Sequence, residues 1–280
     1  MDDKLQIQPG TAQETLIIPL YARKKCGDKF PELYKDPAAA KICDRLDYDF
    51  SELDKKYDTA LYEFGALEGA MRQLDMMYEI NDYLRNHPNA SIVCLGCGLD
   101  LDTRRCGNQQ NKIFNVDFPD VIAMREKLAG IDQRETNIVS DLTDLSWMDQ
   151  VDARNGAVFY AAGVFHYLKK ENVKAIVLKM TELFPGCRLV FDTVGTLGYK
   201  LMMRVILKKH GMNDFGNLFY TNNAVKDLSS WSDKISVSSK GYMLGYYDMK
   251  LPSIKGIHRL LAKMGDNIMH MQIIKIELLY

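Results

Sequence analysis

Apolar and polar positions alternate in two different rhythms along this chain. The first ninety residues carry the helical one. Asp36-Pro37-Ala38-Ala39-Ala40-Lys41-Ile42 offers an acidic N-cap with proline in the first turn. From 57 to 84 there are few breakers, and Leu61, Phe64, Leu67, Met71, Leu74, Met77 and Tyr78 recur at steps of three and four, a stripe predicting one long helix. His87-Pro88-Asn89 ends it. The rhythm then shortens. Residues 91–95 form a continuous apolar run closed by Gly96-Cys97-Gly98, which reads as a buried strand and a tight turn. Further strands are predicted at 112–117, 136–140, 156–162 and 187–193. Helices lie between several of them, most clearly at 171–184, where Val173, Ile176, Val177, Met180 and Leu183 share a face. Strands alternating with helices imply right-handed crossovers and a parallel sheet, so the fold class is α/β. Two later strands, 234–239 and 270–279, follow a helical stretch at 197–210. A chain that ends in strands after a βα series closes its sheet with an antiparallel pair.

Composition narrows the function classes. With 36 basic and 37 acidic side chains the net charge is −1, which gives no general attraction to nucleic acid or to an anionic membrane. Neither is expected as a partner. The longest uncharged apolar run, about 157–165, is far short of the ~20 residues a membrane span needs. Met1-Asp2-Asp3-Lys4 is polar with no apolar run behind it, so no secretory signal is read. Six cysteines spread over 280 residues read as free thiols, and the expected location is the reducing cytoplasm. Oligomeric state is not legible.

The glycine turn carries the first chemistry. In a parallel sheet, ligands bind outside the carboxyl ends of the strands, and glycine lets backbone approach them closely. Gly96 and Gly98 occupy that place after the first strand. Asp117 ends the second strand, where a carboxylate accepts hydrogen bonds from ribose hydroxyls. Asp141 ends the third, where it can accept from the amino group of adenine. A dinucleotide turn needs a third glycine, but that position is Leu101, and Asp100 and Asp102 beside it would repel a diphosphate. S-adenosylmethionine has no phosphate and carries a sulfonium cation that acidic neighbours suit. It is therefore the expected cofactor. Cys94-x-x-Cys97 has metal-type spacing but no second pair, and it reads as small packing residues; no metal site is expected.

These residues resemble a known family. Cys94-Leu95-Gly96-Cys97-Gly98-Leu99-Asp100-Leu101-Asp102-Thr103-Arg104 is similar to the LGxGLDTR motif of the leucine carboxyl methyltransferase family, in the branch holding bacterial polyketide O-methyltransferases. The stretch from Val116-Asp117-Phe118-Pro119 to Arg125 resembles that family's DFPxVIxxR segment. Asp36-Pro37-x-Ala39 resembles its DPxA, and Gly163-Val164-Phe165-His166-Tyr167-Leu168 its EGVLxYL. Arg72 in Arg72-Gln73-Leu74-Asp75 resembles the helix whose arginine pairs with the cofactor carboxylate. The turn is lengthened here, leaving open whether Asp100 or Asp102 faces the cofactor. The family glutamate before GV is Ala162.

The resemblance implies a class I S-adenosylmethionine-dependent methyltransferase fold, Rossmann-like, with a seven-stranded sheet. Residues 1–90 would form a helical lid and 91–280 the core, with a helical insert near 197–230. Arg72, Gly96, Cys97, Gly98, Asp117, Phe118, Asp141, Leu142 and Ala162 would line the cofactor. His166 and Tyr167 follow the fourth strand, at the rim where a methyl acceptor sits. His166 could serve as a base there, or be a histidine without chemistry. The expected function is O-methyl transfer to a carboxylate or hydroxyl of a small molecule, a polyketide-type metabolite among the candidates. A catalytically silent S-adenosylmethionine-binding sensor and an NAD-dependent oxidoreductase stay as alternatives.

Overall fold

The computed structural model describes residues 4–7, 12–210 and 218–280. Seven strands form one sheet: β1 (Ser91–Leu95), β2 (Ile113–Asp117), β3 (Glu135–Val139), β4 (Ala157–Ala161), β5 (Arg188–Thr193), β6 (Ile235–Gly241) and β7 (Gln272–Leu278). Their order is β3-β2-β1-β4-β5-β7-β6. The first five are parallel, and β7 runs antiparallel to both β5 and β6. This is the class I methyltransferase arrangement, with its strand order reversing between β1 and β4. The predicted strands lie where the apolar runs place them, to within two residues.

Nine helices are described: α1 (Ala12–Lys29), α2 (Pro37–Asp44), α3 (Ser51–Tyr57), α4 (Ala60–Asn86), α5 (Pro119–Ala129), α6 (Lys170–Leu183), α7 (Thr196–His210), α8 (Ala224–Ser229) and α9 (Gly256–Asn267). Asp36 caps α2 as its sequence suggests, accepting from the Ala39 amide at 2.8 Å with Pro37 in the first turn. The expected insert contains α7 and α8, and its segment 211–217 lies outside the described residues. Two features were not anticipated. One is α9. The other is a two-residue parallel pairing of Leu5–Gln6 with Leu46–Asp47, too short to leave a period in the sequence.

Side chains alternate across a strand, so each strand supplies two cores. Ile92, Cys94, Val158, Tyr160, Val190 and Ile273 join one apolar cluster with residues of α1, α2 and α4. Val93, Leu95, Phe159, Ala161, Leu189 and Phe191 join another with Trp147 and the buried face of α6. Both faces are covered, which is why the parallel strands read as unbroken apolar runs.

Helix α4 runs along the first face. Near its carboxyl end, Tyr83 donates to the Gly186 carbonyl at 2.9 Å, and Glu79 and Asp82 pair with Arg188 at the start of β5. Its earlier half therefore reaches the opposite, carboxyl ends of β4 and β5. Phe64, Leu67 and Met71 form the buried stripe, joined further on by Met76, Ile80 and Tyr83. The expected stripe is corrected at two positions: Leu61 is 68% exposed, and Tyr78 lies at the surface with its ring on Tyr246. Leu61 sits in the first turn, before the helix meets the sheet. Leu183 is likewise exposed, in the last turn of α6.

Candidate active site

The residues at the carboxyl rim are built onto a turn that only glycine fits. The amides of Gly96 and Cys97 both donate to the Val116 carbonyl, at 2.8 and 3.3 Å. Gly96 has φ +66°, and a Cβ there would lie 2.7 Å from a Val164 methyl. Asp117 closes the turn. One carboxylate oxygen accepts from the Gly98 amide and the other from the Phe118 amide, both at 2.8 Å. Burial nevertheless pushes the Asp117 carboxyl above its ordinary value. Each oxygen keeps a free lone pair for a ligand hydroxyl. The Ser140 amide donates to the Asp117 carbonyl at 3.0 Å, which brings the loop after β3 alongside. There Asp141 is exposed and accepts from both the amide and hydroxyl of Thr143 at 2.8 Å. Leu142 is buried, with its carbonyl bonded by the Trp147 indole, and the Phe118 ring is half-exposed. Ala162 is partly exposed at the end of β4. Cys94 and Cys97 are both buried, and burial pushes both thiols well up.

A buried ion cluster supports the turn from beneath. Arg125 donates to the carbonyls of Gly98 and Asp100 and to Glu135 at 2.9 Å. Arg104 donates to both oxygens of Glu135, at 3.1 and 2.6 Å. Two arginines of the sequence motifs thus hold the scaffold of the turn.

The lengthened turn separates its two aspartates. Asp102 accepts from the Tyr34 hydroxyl at 2.7 Å and from Arg105 at 3.0 Å, so it is tied to the helical layer. Its carboxyl is pushed up to about 7, first by burial and then by the charges of Asp100 and Asp36. Asp100 accepts from the Tyr160 hydroxyl of β4 at 3.0 Å and from the Asp102 amide at 2.8 Å.

Across the turn, Arg72 projects from α4 onto the loop after β4. A Cβ at Gly163 would lie 2.6 Å from its guanidinium, and the φ of +74° there favours glycine. Arg72 Nη1 lies 3.5 Å from Asp192 Oδ2, and the other oxygen of Asp192 accepts from the Gly163 amide at 2.6 Å. Among the described residues, Arg72 Nε is buried without a partner. The guanidinium therefore has one long pairing and donors to spare, which suits a ligand carboxylate. Glu68 lies one turn earlier on α4 and accepts from the Tyr242 hydroxyl at 3.3 Å.

His166 and Tyr167 stand in a short turn after β4, with ring centroids 4.3 Å apart. His166 is buried. Burial holds its ring at about 4, with Arg72 lowering it further and Asp192 opposing, so it is neutral near pH 7. Tyr167 is 53% exposed.

Gly96, Gly98 and Asp117 thus converge as the sequence suggests, with Asp141 on the adjoining loop and Arg72 facing the same rim from the helical layer. Asp192, Glu68 and Tyr242 belong to the rim although no motif marks them. From the sequence Asp192, ending the fifth strand, reads as structural, and Tyr242 falls with Tyr246 and Tyr247 in a cluster near the sixth strand that reads as hairpin packing or as the lining of an acceptor pocket; Glu68 carries no signal at all. The residues fit an adenosyl amino acid: backbone open to close approach, a carboxylate for ribose, and a part-buried arginine with donors to spare.

Comparison with known proteins agrees. The leucine carboxyl methyltransferase family matches residues 21–181. The chain is 28% identical over 182 residues to the tetracenomycin polyketide synthesis O-methyltransferase TcmP of Streptomyces glaucescens, a match covering 65% of each chain and so just under two thirds of that relative. It is 24% identical over 222 residues to the S-adenosyl-L-methionine-dependent methyltransferase dpfgK of Gibberella zeae, covering 74% of each. A candidate methyltransferase of known structure from Thermobifida fusca YX shares the fold, with TM-score 0.60 at 13% identity over 98% of this chain and 100% of that one.

Proposed function

This chain belongs to the leucine carboxyl methyltransferase family of S-adenosylmethionine-dependent enzymes, and we propose that it is an O-methyltransferase acting on a small molecule. The observation that carries the reading is Arg72, seated between Gly163 and Asp192 at the rim that also holds the glycine turn and Asp117. In this reading Arg72 holds the methionine carboxylate. Gly96, Cys97 and Gly98 let the cofactor lie against backbone. Asp117 binds the ribose, and Asp141, with Phe118 and Leu142, receives the adenine. Ala162 borders the methionine end. When bound, the cofactor supplies a methyl group activated by a sulfonium. The helices of residues 12–86 act as a cover that excludes water from that cation. The acceptor is a carboxylate or hydroxyl, and the likeness to TcmP supports a polyketide-type metabolite.

Calorimetry tests the reading. S-adenosylmethionine and its demethylated product are expected to bind in the micromolar range or tighter, and NAD not to bind. Binding of NAD without S-adenosylmethionine would refute it.

A further inference from the structure

We propose that the methyl acceptor is a hydroxyl and that Glu68 takes its proton, with Tyr242 as the positioning residue; this rests on the cofactor reading above. Glu68 and Arg72 are four residues apart on α4, so both side chains leave one face of the helix. That face meets the carboxyl rim, since Arg72 packs on Gly163 and Asp192. Tyr242 arrives at the same rim independently. It follows the last residue of β6, which runs parallel to β5 because both are antiparallel to β7. Its buried hydroxyl donates to Glu68 Oε1 at 3.3 Å, and Glu68 itself is only partly buried.

The groups around Glu68 are Arg72 on the same helix, Asp192 from β5 and Tyr242 after β6. Burial pushes the Glu68 carboxyl above its ordinary value, toward neutrality, while Arg72 and Tyr242 limit the rise. His166, held at about 4, is a poor proton acceptor by comparison. A general base works best when its pKa lies near the working pH. The chemistry also selects the acceptor. A carboxylate acceptor is already ionised and has no proton to give, so it would leave Glu68 without a role. A hydroxyl is neutral and must lose one. In the step, an acceptor lone pair forms the O–C bond, the C–S electron pair leaves with sulfur, and the hydroxyl proton passes to the Glu68 carboxylate. The products are a methyl ether, the neutral thioether and protonated Glu68, which returns its proton to solvent.

The first test needs no turnover. S-adenosylmethionine carries the sulfonium and S-adenosylhomocysteine does not, while their methionine heads are the same. Proton release on binding each is measured calorimetrically in buffers of different ionisation enthalpy, between about pH 5 and 8. A cation beside Glu68 favours its charged form, so S-adenosylmethionine is expected to release more protons than S-adenosylhomocysteine. Glu68→Gln should erase that difference and leave affinity for S-adenosylhomocysteine unchanged. Tyr242→Phe keeps the carboxyl but removes a donor to its charged form, so the release curve should move to higher pH. If Glu68→Gln weakens both ligands alike, Glu68 holds the methionine head and the proposal fails. An undiminished proton difference in Glu68→Gln also overturns it. If neither ligand binds the wild-type chain, the cofactor reading itself fails. The second arm compares naphthol with naphthoic acid as methyl acceptors. Naphthol turnover falling by about 10²–10⁴ in Glu68→Gln is expected. Methylation confined to the acid, at equal rates in both proteins, overturns the assignment.

Discussion

Replacing Glu135 by glutamine tests whether the glycine turn is held from beneath. Glu135 receives four donors: Arg104 Nε and Nη2, Arg125 Nη2 and the Asp132 amide. The Glu135 and Arg125 side chains are each 1% exposed, and Arg104 is largely covered. Glutamine keeps the shape and one acceptor oxygen. Its amide nitrogen must then face either Arg104 Nη2 and the Asp132 amide, or Arg104 Nε and Arg125 Nη2, donor against donor. Removing one partner of a buried ion pair costs about 3–5 kcal/mol, because the remaining charge is left uncompensated. For a chain of this length that loss lowers Tm by about 5–8 °C. Thermal and urea denaturation of both proteins at pH 7 would measure it. The pH dependence gives a second check. Arg104 and Arg125 hold the Glu135 carboxyl at about 2, overcoming the burial that raises it. Its contribution is therefore complete above the ordinary carboxyl value of about 4.3 and is lost as pH falls toward about 2. Glu135→Gln should lose this part of the pH dependence and fall less steeply across that window. Asp152→Asn serves as a contrast, since its partners Lys112 and Arg154 lie mostly in solvent and the expected cost is below about 1 kcal/mol. Equal and small losses in the two variants would refute the argument and leave the turn to the bonds made by Asp117 and the Val116 carbonyl.

Four other outcomes are expected. Arg72→Lys should keep the fold and lose much of its affinity for S-adenosylmethionine, since a point charge replaces a bidentate fork; Arg85→Lys, at an exposed pair with Asp82, should bind as wild type in the same titration. Asp117→Ala should weaken cofactor binding by about 1.5–3 kcal/mol by calorimetry with the secondary structure retained, the usual loss for bonds to a charged group. Gly163→Ala should reduce cofactor affinity, because its new methyl meets the Arg72 guanidinium at 2.6 Å and must displace it; a normal isotherm would show that the guanidinium need not sit there. Asp102 has a folded value of about 7, above its ordinary one of about 3.9, so the native state holds the extra proton between these limits; stability should fall as pH rises through that window, and Asp102→Asn should reduce the fall in denaturation series.

The sheet was legible because both of its faces are buried, which writes each central strand as an unbroken apolar run of about strand length. The turn was legible because close backbone approach demands glycine, and Gly96-x-Gly98 with Asp117 after the next strand is a local pattern. The Asp36 cap and the helix at 60–86 followed from equally local signals. What the stripe could not show was how much of α4 the sheet would cover: Leu61 and Tyr78 obey the period and still face solvent, since burial depends on where a partner ends. The charged residues divide in the same way. Arg104 and Arg125 stand in the two motif stretches, and only tertiary packing reveals that they converge on Glu135 beneath the turn. Glu68, Asp192 and Tyr242 come from a helix, a strand end and a loop up to 174 residues apart, and no period or spacing links them. They meet because β6 runs parallel to β5, with β7 antiparallel between them, and α4 lies along β5. That placement is set by the packing of the apolar faces, and the polar side chains at the rim are carried to one another by it.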